Sequence, residues 1–261
     1  MTRGLLHPNL RDRPPFGWLY LQLYLAGKRL TERREVATLR SLVRPGMVVA
    51  DIGANVGFYA LQLADWVGNS GQVVAFEPDP VSYRLLAMRV NRAAYSNVAV
   101  HQLALGDRRA RGVLHASAYN RADNRLTASH TEPHVERLEV QIATLDDFLS
   151  ATPGGRFDAL KLDVQGYEGM VLQGARKTIG AGLRWAWIEF SPDLLRAAGQ
   201  DPISFLEDAG GLGMKLLRVS GGLSPIRDPR DYTISVGSGY EDILLVSPEW
   251  WEESIAGRID R

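Results

Sequence analysis

Two acids and a glycine-bounded loop are the residues here best suited to chemistry. Asp51-Ile52-Gly53-Ala54-Asn55-Val56-Gly57 follows a short apolar run, Met47 to Ile52, and leads into a helical stretch from about Val56 to Trp66. The loop therefore sits at the carboxyl end of a predicted strand, where open α/β sheets bind ligands. Gly53 and Gly57 let the backbone turn sharply and approach a ligand closely. Asp51 offers a carboxylate suited to an ammonium group. A dinucleotide site would want Gly-x-Gly-x-x-Gly for its pyrophosphate. Here Asn55 takes the second glycine position and an acid precedes the first, so a cationic nucleoside without phosphates suits the loop better. Glu77 ends the next strand, where an acid accepts both ribose hydroxyls, and Pro78 turns the chain. Beyond the third strand, Ala104 and Leu105 offer a surface for a flat base. The same segment, ending Gly106-Asp107, reads equally well as an ordinary β-turn.

A second group of polar residues collects on the acceptor side. Leu160-Lys161-Leu162-Asp163 is a buried strand ending in an acid, and Asp163 either orients an acceptor and takes its proton or caps the following helix. Glu168 and Glu189 come near the same edge, and Glu189 follows the apolar Trp185 to Ile188, where a buried acid needs a partner or a raised pKa. Tyr119 to Arg125 is a dense polar loop whose Asn120, Asp123 and Asn124 suit hydroxyl groups, or form a solvated loop tip. His130 and His134 stand four apart, but Pro133 interrupts a helix, so no metal site is expected. His134 is kept as a candidate base.

The elements that must hold these residues alternate. Residues 16–43 read as helical, with Leu19, Leu23, Leu30, Val36, Leu39 and Leu42 near one face, until Pro45-Gly46 stops the helix. Strands are predicted at 47–52, 72–76, 98–103, 157–164 and 183–190, with helices at 80–93, 169–179 and, broken, 192–209. Met214 to Val219 and Ile243 to Val246 read as two closing strands. Such alternation gives a parallel sheet with crossover helices. Between Gly106 and Leu138 the rhythm lapses, and Val113–Ala116 can pair with Leu138–Ala143 as an inserted hairpin. The expected organisation is an N-terminal helical extension over 1–44, one domain over 45–250 with an insertion at about 106–143, and a tail over 251–261.

Bulk properties bound the partners. The chain has 261 residues, with 30 Lys plus Arg against 30 Asp plus Glu, so no net field draws it to nucleic acid or an anionic membrane. It has no cysteine, which excludes disulfides, thiolate metal sites and a Cys nucleophile. The apolar run Phe16 to Ala26 is about half of the roughly 20 residues that span a bilayer. No small-residue cleavage site follows it, so a cytoplasmic location is expected.

Taken together, these segments resemble the class I S-adenosylmethionine-dependent methyltransferases, and within them the FkbM family. The likeness is carried by DIGANVGFY at 51–59, AFEPDP at 75–80, TLDDFL at 144–149, LKLDVQGYE at 160–168 and IEFSP at 188–192. It implies a Rossmann-like α/β fold, a seven-stranded mostly parallel sheet with a reversed last hairpin and helices on both faces. It also implies O-methylation of a small-molecule, natural-product or sugar hydroxyl, releasing S-adenosylhomocysteine. Asp51, Gly53, Ala54, Asn55, Gly57, Tyr59, Glu77, Pro78, Ala104, Leu105 and Asp163 are then expected to hold the cofactor. Asp163, His134 and Glu189 are the candidate catalytic residues. Asn120, Asp123, Asn124, Gln165 and Glu168 are the candidate acceptor contacts. The family usually has Glu where this chain has Gln165, an amide that keeps hydrogen bonding but loses charge. Acceptor choice is expected to reside in the first 44 residues and in 117–137. An RNA or other N-methyltransferase on the same fold is the alternative, with Arg29, Arg33, Arg34 and Arg40 as its basic face. Against it, the Asn-Pro-Pro-Tyr type of motif is absent. The oligomeric state is left open, a homodimer being one option.

Overall fold

The computed structural model describes residues 16–117, 123–126, 135–152 and 154–255. In chain order the helices are α1 (Phe16–Thr31), α2 (Arg33–Leu42), α3 (Phe58–Val67), α4 (Pro80–Arg92), α5 (Leu145–Ser150), α6 (Glu168–Gln173), α7 (Arg176–Gly180), α8 (Pro192–Ala197), α9 (Pro202–Gly210), α10 (Pro229–Val236) and α11 (Pro248–Ser254). The strands are β1 (Val48–Ile52), β2 (Gln72–Phe76), β3 (Val98–His101), β4 (Ala104–Leu105), β5 (Ala110–Ser117), β6 (Val135–Ala143), β7 (Ala159–Leu162), β8 (Trp185–Phe190), β9 (Lys215–Arg218), β10 (Ser224–Pro225) and β11 (Glu241–Val246). Among the described residues no helix is long and apolar enough to cross a membrane.

One sheet runs β10-β9-β11-β8-β7-β1-β2-β3. Its centre, β8-β7-β1-β2-β3, is parallel, and β11 runs antiparallel to both β8 and β9. The mostly parallel sheet is as expected, but it has eight strands where seven were expected, the two-residue β10 lying at the edge. The parallel strands are apolar on both faces because helices cover both. One cluster joins Val49, Val73, Trp185 and Trp187 to α1, α2 and α3, and the other joins Ala50, Ile52, Leu160 and Ile188 to α6, α7 and α9. The expected insertion is an antiparallel β5–β6 pair whose β6 also pairs with β4, making a second sheet of three strands.

Three local readings are corrected. The 16–43 segment is two helices meeting at Glu32, and Leu19, Leu23 and Leu30 do not face the core: they are 51%, 63% and 71% exposed. Leu21 and Leu25 are the buried pair, because two apolar stripes run along α1 and only tertiary packing selects one. The third strand stops at His101, and Ala104–Leu105 pairs with β6 instead. The helix expected over 169–179 breaks into α6 and α7 at Gly174, where a Cβ would stand 2.0 Å from the carbonyl oxygen of Gly106.

Candidate active site

The parallel register decides which polar side chains share a face. Side chains alternate along a strand, and Asp51 pairs with Lys161, Lys161 with Trp187, and Glu189 with Asp242. Asp51, Lys161, Asp163, Glu189 and Asp242 therefore fall on the sheet face covered by α1, α2 and α3. They lie toward the carboxyl end of the parallel strands.

A narrow cleft of about 70 Å³ opens beside the loop after β1. Gly53, Ala54, Asn55, Tyr59, Glu77, Pro78, Ala104, Leu105 and Asp163, all expected cofactor residues, line it. Asp51 and Gly57 do not. Gly53 has φ +80° and a Cβ there would stand 1.8 Å from the Asp163 carbonyl oxygen, so only glycine lets the loop lie flush on the end of β7. Gly57 serves packing: its Cβ would meet Leu86 at 2.4 Å. Asn55 and Gln165, both lining the cleft, adopt φ 50° and 54°, left-handed backbone that asparagine tolerates readily and glutamine less so.

Glu77 fixes this loop. Its Oε2 accepts the Asn55 N–H at 2.7 Å and its Oε1 the Asp79 N–H at 2.8 Å. Burial pushes its carboxyl up to about 8, against the two backbone donors. Glu77 lines the cleft and keeps hydrogen-bonding capacity beyond these two bonds, which a ribose hydroxyl can use. Asp51 is fully buried, no well-formed hydrogen bond reaches either oxygen although the Ala60 N–H favours its charge, and Lys161 Nζ lies 3.9 Å away. Burial raises its carboxyl above the usual range despite Lys161. A buried carboxylate with spare acceptor capacity, a flush glycine loop, an acid at the end of β2 and the apolar Leu103, Leu105 and Leu114 fit a cationic adenosine derivative.

A second and larger cavity, about 720 Å³, lies between α1–α2 and the β8–β11 edge. Four residues line both spaces: Lys28, Tyr59, Lys161 and Asp163. Lys28 reaches the junction because it shares the inward stripe of α1 with Leu21 and Leu25, and its ammonium stands 5.2 Å from the ring centres of Phe58 and Tyr59. The Tyr59 hydroxyl donates to Glu32 at 2.6 Å, and Lys28 pairs with Glu32 at 3.3 Å. Lys161 pairs with Asp163 at 3.1 Å. Gln165 Nε2 donates to Asp163 at 2.9 Å and to Glu189 at 2.8 Å, tying the two acids together.

These contacts push the two carboxyls apart. Burial raises Asp163, but the Lys161 and Lys28 charges and the Gln165 and Lys161 hydrogen bonds outweigh it and hold it down at about 2. Glu189 is driven well above its usual value by burial and by the negative charges of Asp163 and Glu168. Lys161 is raised: burial opposes its charge, and Asp163 and Asp51 overcome that. Paired carboxyls with separated pKa values mark a division of labour between an ionised orienter and a proton acceptor.

The remaining expected residues sit as follows. Glu168 is buried and accepts the backbone N–H groups of Val164 and Gly166, lining neither space. Asp163 is not the cap of α6, whose N-cap is Tyr167. Asp123 pairs with Arg125 at 2.6 Å, and Asn124 accepts from the Ser117 N–H while lining the cofactor cleft. Asn120 and His134 lie outside the described residues. Among the described residues no group of His, Cys, Asp and Glu is placed to hold a metal ion. Sequence reasoning passed over Lys28 and Lys161. The available signal for Lys161 was a lysine inside an otherwise apolar central strand.

The Methyltransferase FkbM domain family matches residues 51–210. A protein named 2-O-methyltransferase NoeI, from Sinorhizobium fredii, is 26% identical over 192 residues, 69% of this chain and 76% of that one. Among solved structures, a methyltransferase FkbM from Methylobacillus flagellatus KT is 16% identical with a TM-score of 0.47, covering 77% of this chain but only 43% of that one. A putative O-methyltransferase from Klebsiella pneumoniae is 12% identical with a TM-score of 0.49, covering 83% of this chain and 80% of that one.

Proposed function

Because this chain belongs to the FkbM methyltransferase family, we propose that it binds S-adenosylmethionine in the cleft beside Gly53 and methylates a hydroxyl of a small-molecule, natural-product or sugar acceptor. The observation that carries this reading is the meeting of the two spaces at Lys28, Tyr59, Lys161 and Asp163. When bound, S-adenosylmethionine supplies a methyl group on a sulfonium sulfur, an electrophile for an oxygen.

The chain's own residues do the rest. The Gly53 loop and Glu77 hold the nucleoside, and the buried charge of Asp51 favours a cation nearby. Asp163, kept ionised by Lys161, accepts a hydrogen bond from a neighbouring hydroxyl of the acceptor and so orients the reacting one, whose own proton points to Glu189. A hydroxyl is a poor nucleophile at neutral pH, so a positioned base contributes about a hundredfold or more. Glu189, once ionised, takes that proton, since its raised pKa makes it a stronger base than an ordinary carboxylate and Gln165 sets it beside Asp163. The ammonium of Lys28 faces the oxygen as negative charge develops there. The name of the S. fredii relative supports oxygen as the acceptor atom.

The test is calorimetric titration with S-adenosylmethionine and S-adenosylhomocysteine, repeated with NAD. Heat with the first two and none with NAD is expected. Silence with both sulfur compounds refutes the assignment.

A further inference from the structure

We propose that the 720 Å³ cavity is the acceptor site, and that it takes an uncharged polyhydroxylated molecule while rejecting phosphorylated ones. The proposal deepens the O-methyltransferase reading and rests on it. Its volume falls within the range of small-molecule sites, about 300–1,000 Å³. Its walls come mostly from outside the segment matched to the family: residues 28–38 of α1 and α2, and the stretches 219–222 and 240–242. Acceptor choice is therefore built by parts of this chain that the shared domain does not include.

The lining carries six carboxyl groups against three cations. Two of those cations are already paired, Lys28 with Glu32 at 3.3 Å and Lys161 with Asp163 at 3.1 Å. Burial raises the Glu189 and Asp242 carboxyls, so these two do not count as full charges, but the remaining acids and the pairing of Lys28 and Lys161 still disfavour a phosphate there. An amine would be drawn in, but the carboxylates would hold it as an ammonium, which has no lone pair with which to take a methyl group. Hydroxyl groups fit: each donates to a carboxylate and leaves an oxygen lone pair free. Glu35, half-buried on this wall, offers a further carboxylate to a hydroxyl donor. The Tyr240 ring, 68% exposed at the same cavity, offers a flat face for the C–H side of a ring.

Saturation-transfer NMR on the full chain loaded with S-adenosylhomocysteine tests this, using methyl pyranosides and the same pyranosides as 6-phosphates. The neutral compounds are expected to give signals at least about tenfold stronger than the phosphates. Glu35→Lys should weaken the neutral signals by about tenfold, and Tyr240→Ala should also weaken them. Both variants should bind S-adenosylhomocysteine calorimetrically as the parent does, which separates failure of this site from failure of the cofactor site. Phosphates binding as well as the neutral compounds overturn the proposal. So does the absence of any neutral signal from protein that binds S-adenosylhomocysteine. Loss of that cofactor binding in the parent overturns the methyltransferase reading and this proposal together.

Discussion

Replacing Asp51 by Asn is expected to stabilise the free protein and weaken cofactor binding. Asp51 is fully buried with no well-formed hydrogen bond to either oxygen, its charge favoured by the Ala60 N–H and by Lys161 at 3.9 Å. At an effective dielectric of about 20 that pair is worth roughly 4 kcal/mol, while removing a carboxylate from water costs several kcal/mol. Burial is the largest influence on its carboxyl and moves it above 3.8 although Lys161 pulls the other way, so desolvation wins. Lys161 does not lose its charge partner, because Asp163 lies closer, at 3.1 Å. Asp51→Asn should therefore raise the stability of the free chain by about 1 kcal/mol at neutral pH, or roughly 2–4 °C in Tm for a domain of this size. A carboxyl whose folded pKa is raised favours folding while protonated and loses that advantage as pH rises past its unfolded value. The difference between variant and parent should thus be near zero at about pH 4 and open as pH rises above it. Removing one charge at roughly 5–10 Å weakens binding of a cation by about 2 kcal/mol before screening. The loss should be about tenfold for S-adenosylmethionine and smaller for S-adenosylhomocysteine, which lacks the sulfonium. Urea unfolding across pH and calorimetry with both compounds measure the two halves. A variant less stable than the parent at pH 8, or one that binds both compounds unchanged, refutes the reasoning.

Three further outcomes are expected. Glu189→Gln should lower kcat by about a hundredfold or more. It should also flatten a pH–rate profile that in the parent rises as this raised carboxyl loses its proton. Gly53→Ala forces a Cβ to within 1.8 Å of the Asp163 carbonyl at φ +80°. It should cost at least about 2 kcal/mol in chemical denaturation and abolish the heat of S-adenosylmethionine binding. Lys28→Met keeps an unbranched apolar stem, one atom shorter, while removing the cation that stands over Phe58 and Tyr59. It should reduce kcat about tenfold or more with little change in S-adenosylhomocysteine affinity, and equal losses in both would assign Lys28 to cofactor binding instead.

What the sequence alone determined is what local chemistry encodes. A β-branched run, Asp51, two glycines and a helix placed the loop, and Glu77-Pro78 at the end of the next run placed the acid that closes on that loop. The alternation of such units gave the parallel sheet, since each is set by neighbours a few residues away. Three decisions belonged to the tertiary structure. On α1 two apolar stripes compete, and only docking on the sheet turned Leu21, Leu25 and Lys28 inward and left Leu19, Leu23 and Leu30 in water. On β7, Lys161 looked like an exception in an apolar strand until the register set it between Asp51 and Asp163. The large cavity joins helices near the N-terminus to residues some 200 positions later, around Asp242. No local pattern reports a wall whose two sides meet only after the chain has folded, because the free energy that joins them comes from burying the core between them.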